Sequence, residues 1–157
     1  MANTNSPFSF RFYKMDSGMP APAMISVTLA SSIGCKRGDP LYLSSGYGQI
    51  AKLSQAPFAF ADEEITASTG VQQACLAIPA IDGMVLKAQS IGTVNAAVTH
   101  KATAYQAGGS ADGAYGVNLD ETVNGPYQLI DKEPNSEWGS YAVLLVKVKR
   151  TQYSGQA

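Results

Sequence analysis

The residues able to carry polar chemistry are few and scattered in this chain of 157 residues. One histidine, His100, stands in "VTHKAT", and two cysteines, Cys35 and Cys75, sit far apart in sequence. An enzyme must bring an acid, a base or a nucleophile together. A lone histidine in a strand-like run is expected to be an exposed or hydrogen-bonded structural residue. A Cys–His pair assembled only by the fold stays open as an alternative, although neither cysteine has a local nucleophile signature. No Gly-x-Ser-x-Gly elbow occurs, and no glycine loop runs into a lysine beside a hydroxyl residue, as a phosphate cradle would. One histidine and two distant cysteines do not make a zinc set. Asp62 to Glu64 in "ADEE", Asp120 in "NLDE" and Asp112 in "GGSADG" offer oxygen ligands. They lack the spacing of a calcium loop and read as solvated acidic turns. The expectation is a chain that is not an enzyme, with no metal, cofactor or small-molecule substrate. The cysteines are expected to be free thiols; a bridge would need Cα atoms within about 7 Å.

The aromatic residues are better placed to recognise than to react. Phe8, Phe10 and Phe12 alternate with Ser9, Arg11 and Tyr13 in "PFSFRFYK", which puts the phenylalanines on one face of an extended segment. Pro20 and Pro22 then break regular structure. Residues 1–24 therefore read either as an extended arm laid on a neighbour or as a first strand folded back on its own sheet. Such an arm would reach about 80 Å. Trp138 and the tyrosines Tyr42, Tyr47, Tyr105, Tyr115 and Tyr127 recur near turns and strand ends. They either anchor interfaces and sugars or plug the ends of a barrel. The plugging role is expected most of Tyr105 and Tyr127, and least of Tyr47, which stands between two glycines.

The elements that would position these side chains are short strands. "MISVTLA" is a β-branched run; "PLYL" and "QIAKL" flank "SSGYG" as a hairpin. "GVQQACLAIPA" reads as a buried strand stopped by Pro79. The Asp82–Gly83 turn starts "IDGMVLKA". One or two helical turns are expected around Asp62 to Ile65, "GTVNAAVTHKATAY" as one long or two short strands, and "QAGGSADGAYG" as a flexible loop. A strand runs near Tyr127 to Ile130. In the last strand, "SYAVLLVKVKR", Ala142, Leu144, Val146 and Val148 share one face while Tyr141, Val143 and Leu145 share the other. Apolar residues on both faces suit a central strand covered on both sides, the second cover coming from the same chain or from a neighbouring subunit. The expected fold is all-β, a single antiparallel β-barrel or sandwich of short strands with an extended N-terminal arm. The division is 1–24 arm and 25–157 domain.

Charged residues make up 15% of the chain, below the roughly 25% of an average soluble domain. The neutral surface this implies buries easily against a partner, because little charge is desolvated. Net charge is −1 and no basic stripe occurs, which argues against nucleic-acid binding. No apolar run approaches a membrane span, and "MANTNSPFSF" lacks the basic start and apolar core of a secretory signal.

The segments "RGDPLYLSSGYGQIAKLS", "GVQQACLAIPAIDGMVLKA", "TAYQAGGSADGAYGVNLDE", "GPYQLIDKEPNS" and "AVLLVKVKR" occur in an order that resembles capsid decoration proteins of tailed bacteriophages, also called cement or head-stabilising proteins. The likeness runs from about Ile25 to Arg150. It implies a structural protein, made in the bacterial cytoplasm, that binds the outside of an assembled shell as a homotrimer and fastens neighbouring copies of the major capsid protein. Phe8, Phe10, Phe12 and Tyr13 are then the expected arm anchors, and Tyr141, Val143 and Leu145 the expected subunit contact. Two other readings remain: another phage component (tail tube, tail terminator or head fibre), and a carbohydrate-binding β-module using Trp138.

Overall fold

A computed structural model describes residues 8–52, 54–91, 93–94, 104–109, 115–119, 122 and 124–152. Their regular structure is all strand: β1 (Arg11–Met15), β2 (Ile25–Thr28), β3 (Pro40–Ser44), β4 (Tyr47–Ile50), β5 (Ala59–Ala61), β6 (Ala74–Pro79), β7 (Met84–Ile91), β8 (Thr93–Val94), β9 (Ala104–Gly109), β10 (Tyr115–Asn118), β11 (Tyr127–Lys132), β12 (Gly139–Ser140) and β13 (Val143–Val148).

The period-2 pattern of the last strand organises the larger sheet. Leu144, Val146 and Val148 point inward and are buried, which fixes the register of β13 against both β7 (Leu144↔Ala88, Val146↔Leu86) and β11 (Val146↔Leu129, Val148↔Tyr127). A slip of one residue would turn this whole set outward. From β11 the ladder continues to β9, then β10, and returns to β7, closing a five-stranded barrel. All these pairs are antiparallel except β10–β7. The eight-residue β7 gives one edge to β13 and divides the other between β1 and β10.

The glycine-rich stretch expected as a loop is in part wall. Gln106 to Gly109 belongs to β9, pairs with β10, and carries the buried Ala107. Small residues permit this: a Cβ at Gly116 would strike the Gln89 carbonyl of the adjacent strand. Residues 110–114 lie outside the described set.

The second sheet runs β2-β6-β5-β3-β4. It curls until its edges meet, where Leu29 bridges Gly48 and the Ala30 N–H donates to the Gly48 carbonyl (2.9 Å). The β3–β4 hairpin turns on Ser45 and Gly46, both at positive φ (51° and 84°), as a two-residue type I′ turn requires. Strand β6 alternates instead of being buried throughout, with Cys75 and Ala77 inside and Ala74 and Leu76 outside. No helical turn forms at Asp62 to Ile65. Ile65 instead exchanges two backbone hydrogen bonds with Cys35 (2.9 Å each), so the sheet's margin captures the segment.

Of the stretch expected as an arm, Arg11–Met15 lies in the wall of its own barrel as β1, paired with Lys87 to Met84. Residues 16–24 lead from it to β2, and residues 1–7 lie outside the described set. The two sheets share one aromatic cluster. Phe60 of β5 packs with the barrel core, its ring 5.8 Å from Phe10 and 6.3 Å from Tyr127, and Phe10 stacks on Tyr127 at 4.5 Å.

Candidate interaction surface

The residues expected to meet partners divide when placed in the fold. Phe10 is 1% exposed, inside the core of its own chain, and is corrected from a partner anchor to a structural one. The positive φ of Ser9 (59°) breaks the alternation there. The phenylalanines consequently do not share one free face. Phe8 is half-buried, and Phe12 is half-buried and packs against the barrel core. Tyr13 remains outside at 42% exposure. It is the extra residue where the β1–β7 register jumps from Phe12↔Leu86 to Lys14↔Val85, and a bulge of this kind re-aims a side chain.

At the other end of the barrel wall, Tyr141 is also 42% exposed. It adopts φ 59° between β12 and β13, and its carbonyl accepts from Gln89 Nε2 (3.1 Å). This left-handed residue turns the chain so that Ala142 enters the core while Tyr141 stays out. Val143 and Leu145 follow on the outer face, half-buried. Leu145 stands between Lys87 and Asp131 on the neighbouring strands. Ile130, at the β11 bulge, is exposed nearby. Lys147 reaches Asp16 across β7 at 2.6 Å and holds that carboxyl below its ordinary value. The wall is therefore a short apolar stripe edged by paired charge, not a broad greasy face.

A cavity of about 150 Å³ opens where the barrel meets the second sheet. Phe10, Phe12, Phe60, Ile78, Met84 and Leu86 form its apolar lining, with Arg11, Arg37 and Asp62 bringing charge to it. Arg37 pairs with Asp62 at 3.5 Å. Burial, and then the like charge of Arg37, lowers the Arg11 pKa. These side chains can hold an apolar group or an anion; they include no nucleophile.

Two further polar groupings lie inside. Ser9 Oγ donates to the buried Asp39 (2.6 Å) and accepts from the Tyr115 N–H (2.9 Å), while the Lys36 N–H donates to the other Asp39 oxygen (2.8 Å). Burial raises the Asp39 pKa despite these donors. In the second sheet the Cys35 and Cys75 sulfurs are 3.7 Å apart, as free thiols. A hydrogen bond links the two thiols, either sulfur being able to donate, and together with burial it pushes the Cys35 thiol up.

His100, Asp112 and Asp120 lie outside the described residues. Among the described residues no three of His, Cys, Asp or Glu gather as a metal set, and no helix is long and apolar enough to cross a membrane. Trp138 is half-buried against the barrel core, and Tyr105 and Tyr127 are buried within that core. Tyr47 is exposed. The sequence reading missed Ser9, Asp39, Phe60 and Arg37. Asp39 carried a local signal, since an aspartate before proline in "KRGDP" caps a turn with its own side chain. Phe60 carried none, because only the packing of one sheet on the other directs it into the barrel. Comparison of the chain with protein-family models, with curated proteins and with solved structures found no match.

Proposed function

We propose that the chain is a structural virion protein that binds the outside of an assembled tailed-phage capsid and fastens neighbouring copies of the major capsid protein, acting as a homotrimer. The observation that carries this reading is the barrel wall, where Tyr141 and Ile130 stand exposed beside the half-buried Val143 and Leu145. Large apolar and aromatic groups held on a rigid strand lose little entropy on binding and make good anchors. The resemblance of the order of its sequence segments to decoration proteins is consistent with the same reading. A ligand that binds only the expanded lattice stabilises it by mass action, and three linked copies multiply modest contacts. After assembly in the host cytoplasm, the protein's place is the capsid exterior.

The test is co-sedimentation with purified expanded phage shells, together with mass in solution by light scattering. The wild-type chain is expected to be a trimer that pellets with shells. Tyr141→Ser with Val143→Asp is expected to abolish trimer formation or reduce shell binding at least about tenfold. Rings or tubes formed by the isolated protein would favour a tail component. Glycan binding lost in Trp138→Ala would favour a carbohydrate module. Either result, with no binding to shells, overturns the proposal.

A further inference from the structure

Cys35 and Cys75 are the only cysteines of the chain, and the fold brings their sulfurs into contact at 3.7 Å across 40 residues of sequence. The two are held differently. Cys75 sits in the middle of the β2–β6 ladder, opposite Val27, and is fully buried. Cys35 lies outside the named strands, on a segment joined to Ile65 by an isolated bridge of two backbone hydrogen bonds, and keeps 6% exposure at the sheet margin. A disulfide needs the sulfurs at about 2.05 Å. Closing that gap would take rotation about the Cα–Cβ bond of Cys35 and a shift of its own segment, which lies outside the β2–β6 ladder.

We propose that this pair is a redox-modification site, at which a two-electron oxidant of the peroxide class joins Cys35 to Cys75. Two S–H bonds break and one S–S bond forms. The two electrons cleave the peroxide O–O bond, and the two thiol protons complete two waters. The new covalent loop encloses β3, β4 and β5 and ties them to β6. It staples the unit whose buried side chains are mostly small: Ala59, Ala61, Ala77 and the cysteines themselves. The inference does not rest on the proposed function.

The experiment equilibrates the full chain in a series of glutathione redox buffers, in native conditions and in urea. Acid quenching, alkylation in denaturant and intact mass then read the oxidised fraction. The expected result is an intramolecular product 2 Da lighter that takes up no alkylating agent, with its midpoint favouring the disulfide about tenfold or more over the value in urea, because the fold supplies the effective concentration. Hydrogen peroxide is expected to give the same product, and the melting temperature to rise by about 3 °C or more in a way that dithiothreitol reverses. Cys75→Ser must lose both effects. A native midpoint equal to or less favourable than that in urea, or a product that links two chains, overturns the proposal.

Discussion

The barrel and the second sheet are built from similar numbers of short strands but hold together by different means. The barrel encloses large side chains, among them Phe10, Tyr105, Tyr127, Met84, Leu86, Leu129 and Leu144. Burying each of these contributes on the order of 1.5–3 kcal/mol. The second sheet's own core cluster has Val27, Leu29 and Leu41, and the remaining buried members of that cluster are alanines and cysteines, with half-buried side chains such as Ile25 and Phe58 packed against them. Its curl is tight enough that a Cβ on Gly48 would come within 2.7 Å of Val27 Cγ1. What it lacks in side-chain mass it recovers at the junction. Phe60 enters the barrel core. The Phe10 N–H donates to Gly38 (3.0 Å), the Ala80 N–H donates to Phe58 (2.9 Å), and Gln152 bonds both the N–H and the carbonyl of Leu43 (2.7 and 3.0 Å). The difference teaches that the small-residue sheet depends on the barrel, and that the two should unfold as one unit.

The strongest way to break that comparison is Phe60→Ala. It alters a residue of the second sheet yet is expected to lose about 4 kcal/mol from a single cooperative denaturant transition, since the cavity opens in the barrel core. Amide hydrogen exchange at Leu129 and Leu144 should speed up with it. Barrel amides that keep their protection would show that the two units stand independently.

Gly38→Ala attacks the backbone of the junction. Gly38 has φ +94°, and a Cβ there would meet the Phe10 carbonyl at 2.5 Å. A loss of about 3 kcal/mol is expected, and a thermal midpoint unchanged from wild type would remove Gly38 from the account.

Tyr127→Phe sharpens the picture of the shared core in the opposite direction. The Tyr127 hydroxyl is buried with no hydrogen-bond partner among the described residues, and burial drives its pKa far up. Deleting it is expected to raise stability by about 1 kcal/mol; a loss of that size would mean that the hydroxyl is satisfied in solution.

The smallest effect belongs to Asp39. Burial raises its pKa above the ordinary 3.8, so the folded chain binds that proton more tightly than the unfolded one. The associated stabilisation is full below 3.8 and is lost as pH rises through the raised value. Wild type should therefore lose stability relative to Asp39→Asn as pH rises over that span, measured by paired thermal melts. A difference that is flat or grows with pH contradicts the burial argument.

The chain's alternating apolar residues were enough to specify an all-β fold and the two faces of β13, because the side-chain period of a strand is a local property. The turn residues of "SSGYG" also specified the hairpin at Ser45–Gly46, whose backbone needs little beyond them. The tertiary structure alone decided where Phe10 goes. Its alternation with Phe8 and Phe12 predicted a shared face, and the left-handed turn at Ser9 overrode it by aiming Phe10 into the core. The meeting of Cys35 with Cys75, and of Ser9 with Asp39, is likewise a product of sheet curvature and packing. Contacts between residues 30 or 40 positions apart depend on how strands close upon one another, and no local pattern of residue types encodes that closure.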